Sequence, residues 1–134
     1  MLSLSLAQAV VNRALDAAAR QNLPIAAAVV DAGGHVVAGA RMDGAGYLAW
    51  QAALRKAQTA AGMGLPTEAI AGLAGQDPLI AGALHGDDDF FILPGGVPIR
   101  EGGRVTGALG IAGGIYHQDQ AIAAEALQAE SVAS

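Results

Sequence analysis

The chain has 134 residues, the size of one domain with a core large enough to fold without cross-links. Seven basic against twelve acidic residues, a net charge of −5, argue against a nucleic-acid or anionic-membrane footprint. The lack of cysteine excludes disulfides, thiolate catalysis and Cys-based metal sites.

The opening Met1–Leu6 segment has no basic stretch and no continuous apolar run, so it does not read as a signal peptide. No apolar run reaches the roughly 18 residues of a membrane span, and a cytoplasmic location is expected. Ser5 and Gln8 have capping-box spacing. Apolar residues at Leu6, Ala9, Val10, Ala14, Ala17 and Ala18 then predict an amphipathic helix to about Gln21, stopped by Asn22 and Pro24. Ile25 to Asp31 is continuously apolar, which predicts a strand covered on both faces. Ala32-Gly33-Gly34 is a hairpin turn, and His35 to Met42 is the returning strand.

Tyr47 to about Gly62 forms the second helix and carries Trp50, Leu54, Arg55 and Lys56. Pro66-Thr67-Glu68 opens a short third helix with Thr67 as its N-cap. Gly72 to Asp89 reads as irregular, with one helical turn after Pro78. Strands follow at Phe90–Leu93, Val97–Arg100 and Val105–Ala112, the last two joined at Glu101-Gly102-Gly103-Arg104. Gly107 and Gly110 leave room in the last strand for a helix or a ligand to come close. Gln118 to about Glu130 is the terminal helix, with Asp119 in its first turn. The expected architecture is an α+β domain over residues 1–134, with a five-stranded antiparallel sheet flanked by helices.

Serine is confined to Ser3, Ser5, Ser131 and Ser134, so a nucleophilic serine system inside the domain is excluded. Catalysis would fall to Lys56, Asp43, His85, Asp31 or Asp119, or to a bound cofactor. Lys56, the only lysine, reads as an anion-binding group, as a Schiff-base former were its pKa lowered, or as a structural residue, solvated or paired with Asp43 or Asp31. Arg41 ends a strand before Asp43-Gly44, where its fork could grip a carboxylate or pin the loop through a carboxylate or a backbone carbonyl. Gly95 and Gly96 could form an anion nest or a bend with positive φ. Gly113 and Gly114, at a helix mouth, are the better anion candidates. Neither pair carries a phosphate-loop or dinucleotide fingerprint. One ring of Phe90 and Phe91 should line a ligand site while the other enters the core, and we assign the ligand side to Phe90. His35, His85 and His117 have no metal-motif spacing, and no metal site is expected. His85 lies among Asp87, Asp88 and Asp89, as an acidic surface loop or a pocket base.

Five motifs occur in order: Val29-Val30-Asp31-Ala32-Gly33-Gly34, Arg41-Met42-Asp43-Gly44-Ala45, Lys56-Ala57-Gln58-Thr59-Ala60, Gly95-Gly96-Val97-Pro98-Ile99, and Gly107-Ala108-Leu109-Gly110-Ile111-Ala112-Gly113-Gly114 followed by Gln118-Asp119. Together they cover nearly the whole chain and resemble the GlcG/HbpS-like family. The resemblance implies a profilin-like fold, homo-oligomers, and haem binding in some members. Secreted haem-binding members carry an export signal; none is expected here, so an extracellular sensor role is not expected. The leading expectation is a small-ligand or tetrapyrrole (haem)-binding accessory protein, with an axial donor among the histidines, the methionines and Tyr116. The alternative is a cofactor-independent lyase, isomerase or tautomerase acting on a small hydroxy- or oxo-carboxylate held by Arg41 and Lys56.

Overall fold

The computed structural model describes residues 1–133. In chain order it contains α1 (Leu4–Arg20), β1 (Ala26–Asp31), β2 (Val36–Arg41), α2 (Tyr47–Met63), α3 (Thr67–Gln76), α4 (Pro78–His85), β3 (Gly96–Glu101), β4 (Arg104–Ala112) and α5 (Tyr116–Ala133). The strands form one antiparallel sheet in the order β2-β1-β4-β3. The fold is α+β, with five helices and four strands among the described residues.

β1 is central, and successive side chains point to opposite faces. Ala27 and Val29 pack with Leu109 and Ile111 under α1 and α5. Ala26, Ala28 and Val30 pack with Ala108 and Ala112 under α2. The first face holds the larger side chains, including Ile25, Ile99 and Ile122. Each contributes about 1.5–3 kcal/mol on burial. The second face is built mainly of alanine and glycine, so the α2 backbone lies directly on the strands. A Cβ on Gly110 would fall 1.9 Å from the Ala53 carbonyl oxygen. The close approach expected at Gly110 is therefore made by a helix.

Four sequence expectations are corrected. Residues Phe90–Leu93 do not form a strand, so the sheet has four strands rather than five. Their backbone is engaged otherwise: Phe91 N–H donates to Thr59 Oγ1 at 2.9 Å, and Phe90 N–H closes a turn on Asp87 O. Pro94 offers no N–H for a ladder. The α1 cap is Ser3 rather than Ser5, its Oγ accepting from Leu6 N–H at 3.0 Å. Thr67 is the first residue of α3 rather than its cap, and its Oγ1 instead accepts from Gly96 N–H at 3.0 Å. The turn expected after Pro78 is an eight-residue helix, because Asp77 Oδ1 accepts from Leu79 N–H at 2.9 Å and Pro78 is preset for the first turn. Among the described residues no helix is long and apolar enough to cross a membrane.

Candidate functional site

Lys56 projects from α2 past the end of β4 and is 2% exposed. Its Nζ donates to Ile111 O at 2.9 Å and to Asp119 Oδ2 at 3.1 Å. Burial lowers its pKa from 10.5, and the Asp119 carboxylate opposes that shift. The other Asp119 oxygen accepts from Gly114 N–H at 2.9 Å. Gln118 Oε1 accepts from Ile115 N–H at 2.9 Å, so the start of α5 is capped by its own side chains. Gly95 makes this corner fit: it has φ +133°, and a Cβ there would lie 2.5 Å from Ile111 O and 2.9 Å from Lys56 Nζ. Gly95 N–H donates to Gln120 Oε1 at 3.0 Å, and Gly96 N–H goes to Thr67. The amides of Gly95, Gly96 and Gly114 thus end in the chain's own side chains. Lys56 and the Gly113-Gly114 turn do meet, through Asp119.

Arg41 is exposed at the end of β2, and its guanidinium donates to Ala45 O. That bond pins the turn holding exposed Asp43 and Gly44 (φ +90°). Arg41 and Lys56 are engaged by separate internal partners. The two-pronged carboxylate grip of the acid–base reading gains no support from this arrangement.

Open space lies at the opposite end of the sheet, around the β1–β2 turn. One cleft of about 520 Å³ is lined by Ala32, Gly33, Gly34, Arg55, Gln58, Thr59, Met63 and Phe90, with Asp88 and Asp89 at its rim. Phe90, the ring expected at a ligand site, is in this wall. A second, largely apolar cleft of about 480 Å³ shares Ala32 and Gly33 with the first. Both volumes fall in the roughly 300–1,000 Å³ range of small-molecule pockets. The second is lined by Met1, Leu2, Asp31, His35, Arg104, Val105 and Thr106.

Four polar side chains line this second cleft: Asp31, His35, Arg104 and Thr106. Asp31 Oδ1 accepts from Gly33 N–H at 2.9 Å and His35 N–H at 3.0 Å, which fixes the turn. The same oxygen is 3.4 Å from His35 Nδ1, leaving Nε2 turned away from the carboxylate. The His35 N–H holds the Asp31 carboxyl below its ordinary pKa of 3.8, against the opposing effect of desolvation and with the Gly33 N–H adding to the lowering. Thr106 Oγ1 is buried and makes no hydrogen bond. Arg104 is exposed at the cleft edge. A carboxylate beside one imidazole nitrogen orients the other toward a metal, and an unmet buried hydroxyl is costly without a partner.

His85 ends α4 on the surface, and the exposed His117 ring lies tilted against Tyr116, with ring centroids 4.2 Å apart. Among the described residues no group of three or more His, Cys, Asp or Glu is placed to hold a metal ion. Sequence reasoning singled out neither Arg104 nor Thr106 as a ligand contact. The one signal for Thr106 was a hydroxyl residue inside an otherwise apolar and glycine-rich strand.

The family model for haem-degrading protein HbpS-like matches residues 2–128. The chain belongs to the HbpS-like family. An uncharacterized 15.0 kDa protein from the dhaT–dhaS intergenic region of Citrobacter freundii is 34% identical over 123 residues, covering 91% of this chain and 84% of that one. The Klebsiella pneumoniae protein ORFY has a crystal structure with TM-score 0.89 at 29% identity, covering 97% of this chain and 90% of that one. A double mutant of Streptomyces reticuli HbpS superposes with TM-score 0.87 at 29% identity, over 96% and 86% of the two chains. The PduOC–haem complex superposes with TM-score 0.87 at 28% identity, over 96% and 94%.

Proposed function

We propose that this chain is a haem-binding accessory protein and that haem seats in the cleft at the β1–β2 turn. The reading rests on a largely apolar cleft that presents His35 and Arg104 and is lined by Thr106, whose buried hydroxyl has no hydrogen-bond partner. His35, steadied by Asp31, would hold the haem iron. Thr106 would offer a hydrogen bond on the same wall. Arg104 at the rim would neutralise a propionate, and Leu2 and Val105 would pack on the macrocycle. The relatives solved as HbpS and as a PduOC–haem complex support this reading. Bound haem supplies redox and oxygen chemistry, while the chain's residues bind it, orient it and limit water access.

Hemin titration tests the reading. Wild-type protein gives a saturable Soret shift at one haem per cleft. His35→Ala abolishes the shift or moves its maximum, and Arg104→Ala weakens binding without moving the maximum. A saturable shift that His35→Ala leaves unchanged in position and affinity overturns the site, and no saturable shift overturns haem binding.

A further inference from the structure

α4 is lightly anchored. None of its residues is buried, its packing is chiefly on α3, and Leu79 at its start is 81% exposed. An apolar helix that buries so little has little to hold it in place.

The segment after α4 is held in a different way. Arg55 Nη2 donates to Asp88 O at 2.7 Å, and the guanidinium carbon lies 4.9 Å from the Phe91 ring centroid. Thr59 Oγ1 accepts from Phe91 N–H at 2.9 Å and donates to Arg55 O at 2.8 Å. Two side chains on one turn of α2 therefore clip residues 88–91 in place. Asp88, Asp89 and Phe90 of the clipped segment wall the 520 Å³ cleft, and α2 with the Ala32–Gly34 turn makes the facing side. Gln58 Nε2 donates to Gly34 O at 3.1 Å and ties that facing side together.

We propose that residues 77–91 form a hinged flap over this cleft, with Arg55 and Thr59 as its latch. The hinge points are the Asp77 junction between α3 and α4, where one residue ends one helix and caps the next, and the Pro94-Gly95 bend, where Gly95 has φ +133°. Opening uncovers Thr59, which is 3% exposed in the closed state. Arg55 is exposed, so its contacts are weak and reversible. Losing one hydrogen bond and one cation–π contact of this kind changes the open-to-closed ratio by about tenfold or somewhat more. The latch does not depend on haem binding in the neighbouring cleft.

Hydrogen-exchange mass spectrometry on the full chain without ligand tests the flap. In wild type, peptides from residues 77–91 exchange together and faster than those of α2 and β4. Arg55→Ala and Thr59→Val each speed that exchange about tenfold, while β1 and β4 keep their rates. Thr59→Ser keeps the hydroxyl and restores the wild-type rate. Should Thr59→Val fail to fold, Arg55→Ala at its exposed position carries the test with Thr59→Ser. Exchange of residues 77–91 at the α2 rate in wild type overturns the proposal, as does an Arg55→Ala variant whose flap exchanges no faster.

Discussion

Lys56 Nζ lies 3.1 Å from Asp119 Oδ2, and both side chains are 3% exposed. α2 and α5 cover opposite faces of the sheet, so this pair joins them around the end of β4. Removing one partner strands the other in a dry site. Lys56→Met should therefore destabilise the fold by about 3–5 kcal/mol. Lys56→Met/Asp119→Asn removes the stranded charge, while the amide oxygen still accepts from Gly114 N–H. It should recover more than half of that loss. Urea denaturation of the single and double variants checks this, and an equally unstable double variant counts against a charge-burial origin.

Glycine substitutions should split by what a Cβ would meet. Gly110→Ala would drive its methyl into the Ala53 carbonyl and the Ala57 amide. Backbone cannot rotate aside as a side chain can, so the variant should lose several kcal/mol, about the cost of a badly overpacked core, or fail to fold. Gly72, in the middle of α3, has nothing within 4 Å of its Cβ position. Gly72→Ala should raise stability by about 0.5–1 kcal/mol through helix propensity alone. Thermal melts of the two variants should move in opposite directions.

The fold was legible where a local pattern has a single solution. The apolar run Ile25–Asp31 lies buried on both faces to its last residue but one, and the flanking glycine turn gave the hairpin. Residues 90–93 were misread as a strand because two phenylalanines and an isoleucine in sequence suggest one, while the backbone bonds there are taken by Thr59 and Asp87, distant or out of strand register. Lys56 was visible as a lone lysine, but its partner was not. Asp119 is 63 positions away, and no local spacing links the two. Thr106 eluded sequence reading for a similar reason: a threonine in a strand is ordinary until its hydroxyl is found buried and unpartnered.

The β1–β2 turn should loosen in acid. The carboxylate form of Asp31 accepts two backbone N–H bonds, which lowers its folded pKa below 3.8. A depressed carboxyl contributes stability that is fully present above the unfolded value and is lost as pH falls through the folded one. Turn order should thus persist down past pH 3.8 and fade below it. The Gly33 and His35 amide resonances followed by NMR should titrate together with a midpoint under 3.8. Asp31→Asn should remove that titration and weaken hemin binding by disturbing His35. A midpoint above 3.8 contradicts the assigned hydrogen bonds.

Thr106→Val separates stability from ligand binding in a way that few substitutions in this chain can. Valine is close in shape to threonine and deletes a buried hydroxyl that makes no hydrogen bond. Relieving that unmet group should leave the ligand-free protein as stable as wild type or raise its stability by up to about 1–3 kcal/mol. Hemin affinity should move the other way, falling by about tenfold, the equivalent of one lost hydrogen bond. Both can be read on one preparation, by chemical denaturation without ligand and by Soret titration with it. A more stable protein that binds hemin more weakly marks the hydroxyl as kept for the ligand at a cost to the fold. A variant that is destabilised without ligand places Thr106 in packing instead, and one that binds hemin as well as wild type removes it from the site.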